Sequence, residues 1–302
     1  MQQVKELRER TQAGLNDCRT ALMDADGDMD KAVELILKKG LAKSAKRAGA
    51  AATEGVVLAK VASDAKSAVM VEVNIQTDFA ARNQDFLDFA DKVLEAATQA
   101  PEGAELGTQP FPGGSGTIEE NRQALVGKLG ENVTVRRWDK LSVEGPGLVH
   151  AYVHMGGKVG ALLAIQCEAL GNESVKKLAD DVAMQVAAMA PHFLRREDAP
   201  EAELAKQREI FDAQLIEEGK PENVRPKIVE GKVGKWLKEV CLLQQQSVMD
   251  SDKTIDQVRA TTEKEVGAKV DLSAFVRYER GEGIEKPTGE DFATEVAKMA
   301  QG

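Results

Sequence analysis

Apolar residues alternate with small or polar residues in two regions of the chain, and each region predicts a pair of adjacent β-strands. The first pair covers 55–61 and 68–76, and the second covers 147–153 and 159–166. A period of two is typical of strands with one buried face. The similar order and spacing of the two pairs indicate a pseudo-repeat.

A helix is predicted after each strand pair, around 90–93 in the first copy and 179–182 in the second. A helix that covers one face of a hairpin gives a stable two-layer unit, because the apolar face of the sheet is then buried. We therefore expect an α+β fold, with a core of two related antiparallel hairpin-plus-helix subdomains at 55–146 and 147–280.

The N-terminal domain, 1–54, has helical periodicity instead. Three short helices are predicted at 4–10, 16–24 and 30–39, and a small, basic connector with helical tendency follows at 41–54. A three-helix bundle of this size resembles ubiquitin-associated domains, which dock onto partners far more often than they catalyse reactions. Leu15, at the turn before the second helix, is expected either to lie in the bundle core or to contact a partner.

Two heptad-like apolar stripes within 203–240 predict an antiparallel, coiled-coil-like helical hairpin inserted in the second subdomain. A helix at 254–265 and a strand at 270–280 follow. The C-terminal module, 281–302, contains a predicted helix at 290–300. Phe292 and Val296 share one face of that helix and are expected either to pack on the core or to contact a partner.

The segment 76–83 is unusual because it places a phenylalanine in the short connection between a strand and a helix. Thr77 offers a hydroxyl for the N-cap of the following helix, and Asp78 adds negative charge that favours a helix start. Phe79 has two interpretations. Its ring either turns inward and closes the core, or projects as an exposed aromatic anchor beside a carboxylate, a combination suited to protein interfaces.

The charge balance argues against direct nucleic-acid binding. The formal net charge is -10 at pH 7, whereas a protein that neutralises many phosphates needs a basic surface.

Neither an apolar N-terminal segment nor an apolar run long enough to span a membrane occurs, so we expect a cytoplasmic protein without membrane contact. Cys18, Cys167 and Cys241 are few and widely spaced, which favours reduced thiols. The oligomeric state is left open, a dimer included.

The sequence lacks the motifs of common enzymes. His150 and His154 are four residues apart on a predicted strand, which separates them by about 13 Å and is too far for one zinc ion. There is no Gly-x-Ser-x-Gly elbow, no Gly-x-Gly-x-x-Gly after a strand and no phosphate-binding loop. We therefore expect no metal site, no cofactor and no enzymatic activity.

Several segments together resemble the bacterial elongation factor Ts family, and they occur in the family's order along the whole chain. They are 4–18, 76–83, 174–191, 219–221 and 275–286. The resemblance implies a non-enzymatic guanine-nucleotide exchange factor. Such a factor binds the GDP form of elongation factor Tu and promotes GDP release during translation elongation.

The resemblance also implies roles for individual residues. Four consecutive residues are expected to displace the magnesium ion of the partner, namely Thr77, Asp78, Phe79 and Ala80. Four others are expected to contact the partner, namely Leu15, His154, Phe292 and Val296. Two positions depart from the family pattern, because Ala80 stands where valine is frequent and Asn16 where apolar residues are common.

A second interpretation comes from a different functional class. The small N-terminal bundle and the helical hairpin would also suit an adaptor that docks onto elongation factor Tu without exchange activity. Stimulated nucleotide release distinguishes the two classes, since an adaptor binds the partner and leaves the release rate unchanged.

Overall fold

A computed structural model describes residues 1–11, 13–47 and 49–285. The helices are α1 (Gln2–Thr11), α2 (Leu15–Asp24), α3 (Met29–Arg47), α4 (Gln84–Gln99), α5 (Ile118–Leu129), α6 (Glu173–Met189), α7 (Glu201–Glu217), α8 (Arg225–Val240) and α9 (Ile255–Val266). The strands are β1 (Glu54–Val61), β2 (Ser67–Ile75), β3 (Val133–Ser142), β4 (Gly147–His154), β5 (Val159–Cys167) and β6 (Val270–Glu279). The predicted α+β class is confirmed.

The strands form two antiparallel sheets with the orders β1-β2-β3 and β4-β5-β6. The two sheets pack against each other through one face, where Val57, Met70 and Leu162 are buried. The opposite face of the first sheet packs on α4 and α5, and that of the second on α6 and α9. Because both faces of β2 and β5 are covered, these central strands are buried almost throughout.

Each predicted hairpin therefore gains a third strand. The expected strand at 270–280 is β6, which pairs with β5, whereas β3 and α5 were not predicted. The sequence of β3 has few fully buried residues and carries Arg136, Arg137 and Lys140, so its apolar alternation is weak. An edge strand of this kind gives a poor periodic signal.

The N-terminal helices pack around buried Leu7, Cys18 and Ala32. Contrary to the prediction, α3 continues beyond residue 39 to Arg47, and Gly40 does not end it. Gly40 lies instead where α3 crosses α5, and a Cβ added to Gly127 would approach the Gly40 Cα to 3.0 Å. The absence of a side chain at Gly127 allows the two helix backbones to come this close, whereas a Cβ on Gly40 would lie 4.0 Å from its nearest described contact, the Gln123 carbonyl oxygen.

The expected helical hairpin is formed by α7 and α8, which we call the hairpin arm. Leu215, Val229 and Val233 are buried between the two helices. Arg208 pairs with Glu230 at 2.8 Å and Arg225 with Asp212 at 3.0 Å across the arm. The predicted apolar stripes therefore face each other.

Some expectations lie outside the described residues. They concern most of the C-terminal module, including the helix at 290–300 and its residues Phe292 and Val296. Within the described ranges, no helix combines the length and apolar character needed to cross a membrane.

The carboxylate of Glu72 joins the two sheets. This side chain is fully buried on β2 and accepts hydrogen bonds from the Gly281 amide at 2.7 Å and from Asn74 at 3.0 Å. Arg136 and Arg137 on β3 approach it to 3.0 and 2.6 Å. Since Gly281 follows β6 of the second sheet, one buried charge connects β2, β3 and the end of β6.

Burial by itself would raise the pKa of Glu72, but the hydrogen bonds from Gly281, Asn74, Arg137 and Arg136 outweigh it and hold the pKa below its ordinary value. Removal of one member of a buried charge cluster leaves the other charges uncompensated. The ionised form of Glu72 is therefore the form that stabilises the fold.

We predict that Glu72→Gln lowers the free energy of unfolding by about 2–3 kcal/mol near neutral pH, because two arginines lose their buried counter-charge. The stabilisation by Glu72 is present above its ordinary pKa of 4.5 and is lost as the pH falls through the lower folded value. The difference between wild type and variant in urea unfolding should therefore shrink below pH 4.5.

Glu95→Gln is the matched control, because Glu95 forms an exposed pair with Lys92 at 2.8 Å. This control should leave the urea midpoint close to that of wild type. Equal midpoints for wild type and Glu72→Gln near neutral pH would contradict a stabilising role for the buried cluster.

Candidate functional site

The segment 76–83 connects β2 to α4, and both of its ends are fixed. Ile75 is fully buried at the end of β2, and the next side chain, Gln76, accepts a hydrogen bond from the Asn132 amide at 2.7 Å. At the other end, Asn83 caps α4 by accepting a bond from the Asp85 amide at 2.9 Å. Thr77, Asp78, Phe79 and Ala80, four of the six residues between these ends, are called the exposed turn; the first three are exposed and Ala80 is buried beneath them.

Thr77 does not cap α4, and that prediction is wrong. Its hydroxyl instead accepts a bond from the Ala80 amide at 3.2 Å and so starts a short 3₁₀ helix at Ala80–Arg82. The polar residue nearest to the start of α4 is Asn83, which takes the capping position because the 3₁₀ helix comes in between. The exposed turn is therefore a separate structural unit and not the first turn of α4.

Glu131 holds the exposed turn from across the fold. Its carboxylate accepts a bond from the Thr77 hydroxyl at 2.8 Å and another from the Thr77 amide at 3.1 Å. Glu131 is placed by the end of α5, where Gly130 adopts a left-handed conformation with φ 75° and the chain turns toward β3. Sequence reasoning missed Glu131, since nothing in the local pattern signals a contact with a residue so distant in the chain.

Phe79 projects from this turn into solvent. Its side chain is 87% exposed, whereas the neighbouring Ala80 is buried against the core that contains Phe86 and Phe89. The inward interpretation of Phe79 is therefore wrong. Asp78 is also exposed, with Arg82 at 3.9 Å, so the turn presents an aromatic ring and a carboxylate together.

The other described candidates lie on different elements. Leu15 is the first residue of α2 and is 38% exposed beside Lys5 and Arg8, so it is not enclosed in the bundle core. His154 ends β4 in an exposed position, with Nδ1 2.8 Å from the Tyr152 hydroxyl and the two rings stacked. The structure thus places Leu15, His154 and the exposed turn on three different elements, all with solvent-exposed side chains.

His150 and the three cysteines show no arrangement suited to metal binding or nucleophilic chemistry in the described part of the chain. His150 pairs with Asp180 at 2.8 Å, and in the described part of the chain no group of three histidine, cysteine or acidic residues is arranged to hold a metal ion. Cys18, Cys167 and Cys241 are buried free thiols. Burial and the nearby acids Asp198 and Glu197 raise the pKa of Cys241 to about 11, so this thiol stays protonated and a poor nucleophile.

Comparison with known proteins gives a consistent result. The sequence model of the family described as Elongation factor TS matches residues 76–282. The chain is 46% identical to Elongation factor Ts of Clostridium kluyveri over 304 aligned positions, which cover 100% of the chain and 98% of the relative. It is also 46% identical to the proteins of that name from Clostridium perfringens and from a Nitratiruptor species, covering 98% of the chain and 97% of each relative.

We predict that Glu131→Ala loosens the exposed turn without unfolding the core, because Thr77 loses both of its bonds to the carboxylate. Amide hydrogen exchange at Thr77 and Ala80 should become roughly five- to tenfold faster, as expected when a charge-assisted hydrogen bond is lost. Amides in β2 should keep their wild-type rates. Exchange can be measured residue by residue by NMR.

Glu102→Ala serves as the control, since Glu102 is an exposed acid in the connection between α4 and α5. It should leave exchange at Thr77 and Ala80 unchanged. If the Glu131 and Glu102 variants gave the same rates at these two amides, the geometry of Glu131 would have no part in ordering the turn.

Proposed function

Because this chain belongs to the elongation factor Ts family, we propose that it binds the GDP form of elongation factor Tu and accelerates GDP release during translation elongation. The observation that carries the proposal is the 87% exposed ring of Phe79 on a hydrogen-bonded turn. Burial of a large, water-exposed apolar side chain under a partner lowers the free energy of the complex. A preorganised turn also loses little conformational entropy on binding.

The proposed mechanism acts on the magnesium ion of the partner. In GTPases, backbone amides, a lysine and a magnesium ion that bridges phosphate oxygens hold the nucleotide. We infer that the exposed turn enters beside that ion and displaces it, with Asp78 and Phe79 at its front. Without the ion, the repulsion between the phosphates is no longer compensated and GDP leaves faster.

The energetics require contacts beyond the exposed turn. A release rate ten thousand times faster corresponds to a barrier lower by about 5.5 kcal/mol, whereas burial of one phenylalanine contributes about 1.5–3 kcal/mol. Coupling is also reciprocal. Bound GDP therefore lowers the affinity of elongation factor Tu for the factor as much as the bound factor lowers its affinity for GDP. We therefore propose that Leu15, His154 and the C-terminal residues Phe292 and Val296 supply further binding free energy.

We further propose several general properties of the protein. The protein acts in the cytoplasm as a binding catalyst, without chemical turnover of its own and without direct contact to nucleic acid. Its first three helices serve as a ubiquitin-associated-like docking unit, and the hairpin arm is an accessory element on the second of two related subdomains. The acidic net charge of -10 supports the part of the proposal that concerns nucleic acid.

We predict that the double variant Asp78→Ala with Phe79→Ala loses stimulated GDP release while its unfolding curve stays close to that of wild type. Both side chains are exposed, so the core does not depend on them. Release of a fluorescent GDP analogue from elongation factor Tu, followed by stopped flow, measures the stimulation directly.

Met249→Ala with Asp252→Ala is the matched control, because it removes an exposed apolar residue and an exposed acid from a different loop. The control should stimulate release like wild type. Full stimulation by the Asp78 and Phe79 double variant would refute the magnesium mechanism. Binding of elongation factor Tu by the wild-type protein without faster release would favour the adaptor function instead.

A further inference from the structure

The turn between β4 and β5, residues 154–158, contains a large apolar residue in a conformation that suits glycine. Met155, Gly156 and Gly157 all have positive φ, at 49°, 63° and 90°. The left-handed region is readily adopted by glycine but is unfavourable for a residue with a Cβ. We call residues 154–158 the hairpin tip.

Met155 is also solvent-exposed. Its side chain is 71% exposed and belongs to none of the hydrophobic clusters of the described residues. The other non-glycine residues with positive φ in the described part of the chain are Asp26, Ala65 and Ala190, which are small or polar. Nothing within the described fold therefore accounts for a methionine at this position.

The hairpin tip is held firmly on the first sheet. The Gly157 carbonyl accepts a bond from the Val57 amide at 2.8 Å, and a Cβ on Gly157 would meet Val56 Cγ2 at 2.3 Å. On the other side, the Lys158 carbonyl accepts a bond from the Arg280 amide at 2.9 Å. Met155 thus projects from a rigid base, as an anchoring side chain at an interface does.

The tip also lies near the exposed turn along the sheet. It contacts β1 at Val56 and Val57, while Glu54 on the same strand pairs with Ile75, the last residue before the segment that carries the turn. Two to three residues along β1 (roughly 7–10 Å) and one step of about 5 Å across to β2 place the base of the tip roughly 9–11 Å from Ile75. A protein interface of ordinary size, with about 800 Å² on each partner, extends well beyond that distance.

We propose that Met155 is an apolar anchor that inserts into an apolar pocket of elongation factor Tu and sets the affinity of the complex, an inference that rests on the proposed function. The left-handed conformation directs the side chain outward, and the close contact of Gly157 with β1 fixes its position. The exposed turn acts on the nucleotide site, whereas Met155 contributes binding alone. Substitutions in the exposed turn and at Met155 are therefore expected to affect different kinetic parameters.

The test is the dependence of fluorescent GDP release from elongation factor Tu on the concentration of the factor. Met155→Ala and Met155→Gly should raise the concentration for half-maximal stimulation roughly five- to tenfold and leave the maximal rate unchanged. Met155→Leu, which keeps an apolar side chain of similar volume, should stay within about twofold of wild type. Phe79→Ala should lower the maximal rate instead.

Two controls separate binding from folding. Met249→Ala removes another exposed methionine, 54% exposed, and should have no effect on either parameter. Met155→Gly relieves the unfavourable backbone conformation, so its melting temperature should not fall below that of wild type. A weaker complex with an undiminished melting temperature would assign the side chain to binding and not to the fold.

The outcomes distinguish this inference from the proposed function. Unchanged half-maximal concentrations for Met155→Ala and Met155→Gly, alongside stimulation by wild type, would overturn the role of Met155 and leave the exchange function standing. If wild type binds without stimulating release, calorimetric dissociation constants for the same variants decide the role of Met155 alone. Absence of any binding by wild type would overturn both. Sedimentation can also show whether Met155→Ala has a different oligomeric mass from wild type. A different mass together with an unchanged affinity for elongation factor Tu would assign the tip to self-association and overturn the inference.

Discussion

The arrangement of the two sheets depends on one buried carboxylate. Glu72 lies on β2. Its carboxylate accepts a hydrogen bond from the Gly281 amide, just after β6, and forms ion pairs with Arg136 and Arg137 on β3. A charge in this position is tolerated only when it is fully compensated, so the three strands must meet in one register. Around this point the apolar contacts between the sheets have much less directional preference. The carboxylate therefore adds a directional contact to the packing of the sheets, alongside the Tyr278–Asp139 hydrogen bond and the Arg280–Glu54 ion pair.

Both surface features assigned to function are attached to the sheet that Glu72 organises. The exposed turn continues from β2, and the hairpin tip of the second sheet rests on β1. Neither feature contributes much buried area of its own, since Phe79 and Met155 face solvent. The exposed turn is held by contacts within the first subdomain, namely Thr77 with Glu131 and buried Ala80, whereas the hairpin tip is held by a bond between the sheets, from the Val57 amide to the Gly157 carbonyl.

The sequence was sufficient to predict elements whose apolar period is strong. The strands β1, β2, β4 and β5 and the two helices of the hairpin arm are close to the expected positions, because their periodicity reflects burial on a defined face. The sequence was insufficient to predict β3, whose Arg136 and Arg137 pair with the buried Glu72. It was also insufficient to predict where α3 ends. Gly40 has the sequence signature of a helix stop, yet α3 continues through it and packs there against Gly127 of α5.

At the candidate site, the sequence singled out Thr77 to Ala80 but could not choose between their conformations. An aromatic residue between a strand and a helix fits an inward and an outward ring equally well. The choice depends on Glu131, a partner of Thr77 from a remote part of the chain. Thr77 was also given the wrong role, because a threonine hydroxyl before a helix can accept a bond from a nearby amide of the connecting turn, here that of Ala80, instead of capping the α-helix.

The crossing of α3 and α5 has a geometric consequence for how the molecule could diverge. The backbones touch at Gly40 and Gly127, and α5 leads through Gly130 to Glu131 and the exposed turn. The N-terminal helices are therefore seated on the same helix whose C-terminal end places Glu131 beside Thr77. A methyl group at Gly127 would lie 3.0 Å from the Gly40 Cα, so it would require α3 to shift by a few tenths of an ångström relative to α5. A substitution at this one position would thus move the N-terminal helices relative to the core without altering the side chains on their exposed faces.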